Sequence, residues 1–184
     1  MHTRLLLLLG LALTLCRPAV ALSMTDVQGT RCTIPNTQAK ATVLLFIAHD
    51  CPIANGYAPE IQRMAARYGA RGITFELVYV ESDLTVAGAK QHAAAYGYHL
   101  PALRDRAHIL VRRYGVTVTP EAVVLSPTDK REYEGRIDDK YVGLGRSRFT
   151  ATRHDLRAAL DAVLLGHHAP RSRTQAVGCP IPSD

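Results

Sequence analysis

The feature that most constrains the fold is a continuous apolar run at residues 41–48, with the sequence Ala-Thr-Val-Leu-Leu-Phe-Ile-Ala. Val, Ile, Phe and Thr favour strands, and the lack of alternation with polar residues is typical of a strand covered on both faces. Such strands occur in sheets that have helices on both sides, so the run predicts an α/β domain. It ends at His49-Asp50-Cys51-Pro52, where the candidate chemistry begins.

The residues that follow Cys51 have the apolar spacing of a helix. Apolar side chains recur at intervals of four, four, three and four residues, at Ile53, Tyr57, Ile61, Met64 and Tyr68. Pro52 suits the first helical position, because the missing N–H has no helical partner there, and Cys51 is therefore expected at the N-cap. Pro59 lies inside the helix and should kink it.

The remaining patterns predict an alternation of strands and helices. The expected elements are a small hairpin at 26–36, a buried strand at 73–80, helices at 85–96 and 105–114, two hairpin strands at 121–125 and 130–136, and a final helix at 152–165. A strand, a helix and a second strand in this order predict a βαβ unit with a parallel strand pair.

The N-terminus has the features of a secretory leader. Arg4 supplies a positive charge, residues 5–15 are apolar, and Ala19-Val20-Ala21 is a small-x-small cleavage site. The run is too short to span a bilayer, and no later segment is long enough. We expect a leader at 1–21, no transmembrane segment in the mature chain, and export to the bacterial periplasm.

Composition indicates one compact domain at 22–166 followed by a tail at 167–184, since 47% of the residues are hydrophobic. Without Arg4 and Arg17 of the leader, 20 Lys and Arg remain against 16 Asp and Glu, and many of these cations lie near the C-terminus: Arg146, Arg148, Arg153, Arg157, Arg171 and Arg173. A solvated basic surface is the simplest interpretation, with an acidic partner or an anionic lipid surface as the alternative. Nucleic acid is not an expected partner of an exported protein.

Three cysteines follow the leader, at Cys32, Cys51 and Cys179. An odd number in an oxidising compartment leaves at least one thiol free, reactive, metal-bound or paired with another molecule. A helix N-terminus stabilises a thiolate, because its unpaired N–H groups carry partial positive charge. Cys51 is therefore the candidate nucleophile, whereas Cys32, in the predicted hairpin, is expected to be structural.

The order of elements, with a cysteine directly after the first long strand, resembles the thioredoxin fold, a central mixed β-sheet flanked by helices. Thioredoxins carry a proline eight residues after the nucleophilic cysteine, and Pro59 has this spacing from Cys51. The extra residues between Cys51 and Pro120 resemble redoxins, the peroxiredoxins or thiol-specific antioxidant proteins, and the thiol-disulfide proteins of bacterial cytochrome maturation. The resemblance covers residues 26–165.

The resemblance also implies positions for the site residues. It places Pro120 at the substrate-facing cis-proline, so that the bond from Thr119 to Pro120 should be cis and the backbone of Thr119 free to pair with a substrate. Pro52, Asn55 and Asp138 are expected beside the substrate, with Asp138 able to act on a proton.

The chain departs from the family pattern at Ala54, where thioredoxins have the second cysteine of the CxxC motif. Cys179 is the candidate resolving thiol, because the tail is long enough to fold back over the domain. A permanent bridge from Cys51 to Cys179, or an unpaired Cys179, are alternatives. Arg136 is a candidate catalytic residue that would lower the pKa of Cys51, against the alternative of a salt-bridged loop.

Peroxiredoxins have Thr or Ser three residues before the peroxidatic cysteine, but Ala48 stands there. Their distal arginine has two candidates, Arg136 and Arg113.

These residues predict a thiol-disulfide oxidoreductase that acts on protein thiols or disulfides, needs a thiol reductant as partner and uses no cofactor. A peroxidase that reduces a hydroperoxide is the first alternative. The second is a non-catalytic copper carrier with His49, Cys51 and Cys179 as ligands, joined by His167 or His168, since thiolate and imidazole suit Cu(I).

Overall fold

The computed structural model describes residues 21–182, and the predicted leader lies outside this range apart from Ala21. The strands are β1 (Leu22–Thr25), β2 (Arg31–Ile34), β3 (Ala41–Ile47), β4 (Ile73–Tyr79), β5 (Ala102–Arg104), β6 (Val118–Thr119), β7 (Glu121–Leu125), β8 (Arg131–Gly135), β9 (Tyr141–Gly143), β10 (Arg146–Ser147) and β11 (Cys179–Pro180). The helices are α1 (Pro52–Gly56), α2 (Ala58–Gly69), α3 (Val86–Ala95), α4 (Ile109–Tyr114) and α5 (Asp155–Leu164).

Five strands form the central mixed sheet in the order β5-β4-β3-β7-β8. The neighbours β3, β4 and β5 are parallel, whereas β7 and β8 are antiparallel additions. All seven residues of β3 are buried, as predicted for a strand covered on both faces. Helix α2 packs against β4, α3 against β5 and α5 against β8. The predicted fold, a mixed sheet flanked by helices, is confirmed.

The helix after Cys51 is divided at Tyr57, close to the predicted kink. Pro59 lies in the first turn of α2, where a missing N–H costs no helical hydrogen bond. The amide of Tyr57 donates to the carbonyl oxygens of Ile53 (3.2 Å) and Ala54 (3.1 Å), which closes α1. The apolar stripe of α2 is buried as expected at Ile61, Met64 and Tyr68.

Several predicted boundaries were wrong. The N-terminal hairpin begins at Leu22, earlier than expected, and the three-residue β5 was not predicted. Helix α4 begins at Ile109 instead of residue 105, because the Asp105 carboxylate accepts hydrogen bonds from the amides of Ile109 (2.7 Å) and Val111 (2.9 Å). Asp105 thus caps the turn and is not part of the helix. Among residues 21–182, no helix has the length and apolar character needed to cross a bilayer.

The C-terminal tail folds back over the domain and pairs with it at several points through residue 182. Strand β11 pairs with β6, and the amide of Ile181 donates to the carbonyl oxygen of Thr117 (2.9 Å). Further upstream, the amide of Thr174 donates to the carbonyl oxygen of Glu134 (3.0 Å). Gly135, at a φ of +131°, permits this contact, because a β-carbon there would lie 2.1 Å from the oxygen of Thr174.

Candidate active site

Cys51 lies at the N-cap of α1, as predicted. The end of β3 and a short turn position it: its amide donates to the carbonyl oxygen of Ala48 (3.2 Å), and its own carbonyl oxygen accepts from the amide of Asn55 (3.0 Å). Pro52 opens the helix. The Cys51 side chain is only 1% exposed, so its sulfur faces protein groups more than solvent.

The predicted cis bond between Thr119 and Pro120 is present. It holds the carbonyl oxygen of Thr119 3.1 Å from the sulfur of Cys51, where it accepts a hydrogen bond from the thiol. Thr119 is also the last residue of β6, the short strand with which the tail pairs. The cis-proline segment therefore contacts the reactive sulfur on one side and the tail on the other.

The tail brings Cys179 to Cys51. In the antiparallel register of β6 and β11, Cys179 lies opposite Thr119. Gly178 makes the approach possible, because a β-carbon at this position would lie 2.0 Å from the Thr119 carbonyl oxygen. Because the carbonyl oxygen of Thr119 lies 3.1 Å from the sulfur of Cys51, this pairing places Cys179 next to Cys51.

These contacts shift the pKa values of the two thiols in opposite directions. Burial raises the pKa of Cys51, but hydrogen bonding with the Cys179 side chain, the Ala54 backbone, the Thr119 side chain and the Cys179 backbone outweighs it, and the net pKa is lowered. Burial raises the pKa of Cys179 to about 12, supported by the hydrogen bond to Cys51 and the charges of Cys51 and Asp50. Of the two thiols, Cys51 is therefore the one that loses its proton more readily.

Cys32 has a different environment. Burial raises its pKa to about 11, and the charges of Glu76 and Asp26 act in the same direction. Its thiol has only a long contact, 3.9 Å, to the carbonyl oxygen of Thr30. A neutral thiol in the β1–β2 hairpin agrees with the structural role expected for Cys32.

The side chain of Asn55 was expected beside the substrate, but both its nitrogen and its oxygen have hydrogen-bond partners within the protein. Its amide nitrogen donates to the carbonyl oxygen of His49 (2.9 Å), and its oxygen lies 2.9 Å from Nε2 of His92. The other ring nitrogen of His92 lies 2.7 Å from the hydroxyl of Tyr79. Burial lowers the pKa of His92, and the nearby His49 adds to the effect. A neutral His92 thus links α1 to α3 and β4.

Asp138 is buried below the site and bound to Tyr57. The Tyr57 hydroxyl donates to Oδ1 of Asp138 (2.5 Å), which also accepts from the amide of Lys140 (2.8 Å). Tyr141 lies next to this pair, with its ring centroid 5.0 Å from that of Tyr57. Burial raises the pKa of Tyr141, and the charges of Asp138 and Cys51 raise it further. Tyr57, Tyr141 and His92 were not predicted as site residues; Tyr57 had only the signal of a core position.

Arg136 forms the salt bridge that was its alternative interpretation. Its Nε lies 2.7 Å from Oδ2 of Asp155, and it is not among the main groups that shift the pKa of Cys51. Arg113, the other candidate distal arginine, pairs with Asp129. Each arginine therefore forms a salt bridge with a carboxylate, and neither of these contacts involves the sulfur of Cys51.

The copper ligand set is not assembled. His49 is exposed and its Nδ1 lies 2.7 Å from Oε1 of Glu81. Within residues 21–182, the acidic or ligating groups close enough to share a metal ion are His49, Asp50 and Glu81, without either cysteine. A hard carboxylate set of this kind does not suit Cu(I).

A cavity of about 310 Å³ opens beside Cys179 and Thr119. Three carboxylates line it, those of Asp50, Glu81 and Asp83. The other lining residues are Ala48, Val80, Ser82, His108, Thr119, Cys179, Pro180 and Pro182. The cavity gives a small molecule a route to Cys179 and the Thr119 edge while the tail remains paired.

Solved structures with the same fold include an uncharacterized conserved protein of Geobacillus kaustophilus, 26% identical, with a TM-score of 0.79 and 91% of both chains covered. A hypothetical protein of Sinorhizobium meliloti is also 26% identical, with a TM-score of 0.77 and coverage of 89% of this chain and 91% of that one. A secreted disulfide oxidoreductase of Mycobacterium tuberculosis, homologous to DsbE of E. coli, is 24% identical over 60% of this chain and 79% of its own, with a TM-score of 0.52.

None of the curated proteins compared with this sequence matches it. The model of the AhpC/TSA family matches residues 16–133, which include the Cys51 turn, the cis-proline and the central strands. With the thioredoxin-like fold of its structural neighbours, this match over more than half of the chain identifies it as a redoxin that belongs to the AhpC/TSA family.

Proposed function

We propose that the protein is an exported thiol-disulfide oxidoreductase in which Cys51 and Cys179 are the redox pair. The observation that carries the proposal is their placement: Cys179 pairs with Thr119, whose carbonyl oxygen contacts the sulfur of Cys51. In this arrangement the pKa of Cys51 is lowered and that of Cys179 is raised. This arrangement assigns different roles to two chemically identical groups. Cys51 is the attacking thiolate and Cys179 the resolving thiol.

The reaction proceeds in two exchanges. The Cys51 thiolate attacks one sulfur of a substrate disulfide, forms a mixed disulfide and releases the other substrate sulfur as a thiolate. Cys179 then loses its proton to that thiolate or to water and attacks the Cys51 sulfur. A Cys51–Cys179 disulfide forms and the second substrate thiol leaves, so that two protein thiols have reduced one disulfide. An external dithiol reverses the oxidation of the pair.

The resolving step becomes easier once the first exchange has occurred. The negative charge of Cys51 and its hydrogen bond both raise the pKa of Cys179. Both contributions disappear when the Cys51 sulfur is bonded to a substrate, and only burial and the charge of Asp50 continue to raise the Cys179 pKa. Cys179 is therefore protected from ionising until the mixed disulfide exists.

Peroxide reduction is the second candidate, supported by the family match and by the small cavity beside Cys179 and Thr119. The Cys51 thiolate would take one oxygen from a hydroperoxide, with a proton completing the alcohol, and become a sulfenic acid. Cys179 would then form the disulfide and release water. Ala48 supplies no hydroxyl to orient a peroxide, which favours disulfide exchange as the main activity.

Export is part of the proposal, supported by the leader pattern of residues 1–21. The secreted oxidoreductase of M. tuberculosis that shares the fold has the same destination. A periplasmic location would require a membrane-side or periplasmic thiol reductant as partner.

The experiment is acid quenching, alkylation and mass spectrometry of the reduced protein after addition of one equivalent of an oxidised dithiol or of hydrogen peroxide. We expect a Cys51–Cys179 disulfide, a mixed disulfide at Cys51 in Cys179→Ser, and no product in Cys51→Ser. Cys32→Ser is the matched control and should behave as wild type. Rapid reaction with the disulfide and not with peroxide selects exchange, and the opposite selects peroxide reduction. Persistence of Cys51 as a thiol with both oxidants would overturn the proposal.

A further inference from the structure

The segment at residues 140–154 is rich in cations. It contains four cations, Lys140, Arg146, Arg148 and Arg153, and no Asp or Glu. The acids that precede it, Asp138 and Asp139, are buried, and they accept hydrogen bonds from neighbouring groups. The segment therefore presents unbalanced positive charge at the surface.

The same segment exposes large apolar side chains. Val142 is 40% exposed, Leu144 64% and Phe149 fully exposed, at 103% of its reference area. Four other large apolar side chains are exposed among the residues that the structure describes, and they are dispersed: Val86, Tyr96, Ile109 and Leu165. Apolar side chains concentrated within eight residues, bordered by cations, mark an interaction surface rather than ordinary surface.

These residues form one projecting hairpin. Strands β9 and β10 are antiparallel, with Gly143 opposite Arg146, and the amide of Arg148 donates to the carbonyl oxygen of Lys140 (2.7 Å). Leu144 and Gly145 form the tip, where Gly145 has a φ of +70°. Phe149 follows directly after the closing hydrogen bond.

An open cavity of about 320 Å³ lies at the base of the hairpin. Arg136, Arg148 and Arg153 line it together with Val142 and one acid, Asp139. Arg136 and Arg148 have acidic partners in Asp155 and Asp139, whereas the side chain of Arg153 is exposed. Arginine around an open cavity suits a phosphate group.

We propose that this hairpin docks the protein on an anionic lipid surface. Phe149, Leu144 and Val142 would enter the interface between headgroups and acyl chains, while the arginines bind headgroup phosphates. Lipid fits better than an acidic protein because the apolar side chains project outward on a hairpin, and a projecting Phe needs no preformed pocket in a fluid bilayer. The proposal is independent of the redox function.

Docking would also place the reactive site close to the membrane. Tyr141, at the start of β9, contacts the ring of Tyr57, and its pKa is raised in part by the charge of Cys51. The hairpin that enters the interface is thus continuous with the surroundings of the reactive thiolate.

The test is sedimentation of the protein with vesicles of phosphatidylcholine alone or mixed with phosphatidylglycerol, at low and high salt. The chain from Leu22 to Asp184 is used, because it holds every described element but not the apolar run of the predicted leader. We expect binding to the phosphatidylglycerol vesicles that weakens with salt. Phe149→Ala should lower the partition coefficient about tenfold, and Arg146→Gln with Arg153→Gln about thirtyfold.

Matched controls are Leu165→Ala, an exposed apolar residue outside the hairpin, and Lys90→Gln, an exposed cation on α3. Both should bind as wild type, and all variants should keep the wild-type melting temperature. Equal binding to both vesicle types, or equal loss in the controls, would overturn the proposal. Absence of vesicle binding at low salt would also overturn it and would leave an acidic protein as the partner that fits these charges.

Discussion

Gly178 crosses Thr119 so closely that a β-carbon at position 178 would lie 2.0 Å from the Thr119 carbonyl oxygen. The next residue, Cys179, pairs with Thr119, whose carbonyl oxygen lies 3.1 Å from the sulfur of Cys51. Glycine at 178 therefore determines how closely the tail thiol approaches the reactive one. The contact also means that a peptide substrate which pairs with Thr119 must first displace the tail.

Gly178→Ala should separate β11 from β6, because the added methyl group meets backbone atoms that cannot move aside. We expect the Cys51–Cys179 disulfide to form at least about tenfold more slowly, since the two sulfurs lose their positioning. Stopped-time alkylation and mass spectrometry measure the rate. Gly69→Ala is the control, because a β-carbon there meets nothing within 4 Å. An unchanged rate in Gly178→Ala would show that the tail does not depend on this contact.

Cys179→Ala should raise the pKa of Cys51, because it removes the thiol hydrogen bond that stabilises the thiolate. Cys179→Ser keeps a donor and should raise the pKa less. The pH dependence of alkylation of Cys51, followed in a Cys32→Ala background, measures the pKa. If the Ala and Ser variants titrate at the same pH as the parent protein, the tail does not activate Cys51.

The sequence is sufficient to locate Cys51 because the signals are local. The apolar run of β3, the proline after Cys51 and the apolar spacing of α2 lie within a few turns of one another. The cis bond before Pro120 was predicted from the family resemblance and not from local sequence, since an X-Pro bond is cis in only about 5–6% of cases.

The sequence indicated that the tail could fold back over the domain, but the strand pairing that holds it there and the network around Asn55 were beyond prediction. Strand β11 has two residues, too few for a strand pattern, and its contact depends on Gly178 meeting Thr119, far away in the sequence. Asn55 and His92 are likewise separated by 37 positions. A histidine in an alanine-rich helix was the only visible signal, and the sequence does not show which side chain it meets.

His92→Gln should reduce the acid sensitivity of the fold. Burial lowers the pKa of folded His92, so the unfolded chain takes up a proton at a higher pH than the folded chain. The stability that neutral His92 contributes is therefore present at neutral pH and is lost as the pH falls through the ordinary histidine pKa. Urea denaturation at about pH 7.5 and about pH 5 measures the free energy of unfolding at both sides of that value.

In His92→Gln, the free energy of unfolding should fall at neutral pH by about 1–3 kcal/mol, since Tyr79 and Asn55 lose a partner. It should then change less between the two pH values than in the wild type. His99→Gln, at an exposed histidine, is the control and should retain the wild-type dependence. A parallel shift of the His92→Gln curve, with no change in slope, would contradict the assignment.

Glu76→Gln should stabilise the protein selectively at alkaline pH. Glu76 is 6% exposed in β4, its Oε2 has no hydrogen-bond partner, and burial followed by the charge of Asp26 raises its pKa from 4.5 to about 7. Between these two pH values the Glu76 carboxyl is ionised in the unfolded chain and protonated in the folded chain. The free energy of unfolding therefore falls as the pH rises, by about 3 kcal/mol in total. Gln cannot ionise, and the variant should lose this decline. Urea denaturation at about pH 4.5, 6 and 8 measures it, with the exposed Asp83→Asn as the control that should keep it. A decline of the same size in Glu76→Gln would mean that another group under the β1–β2 hairpin carries the pH dependence.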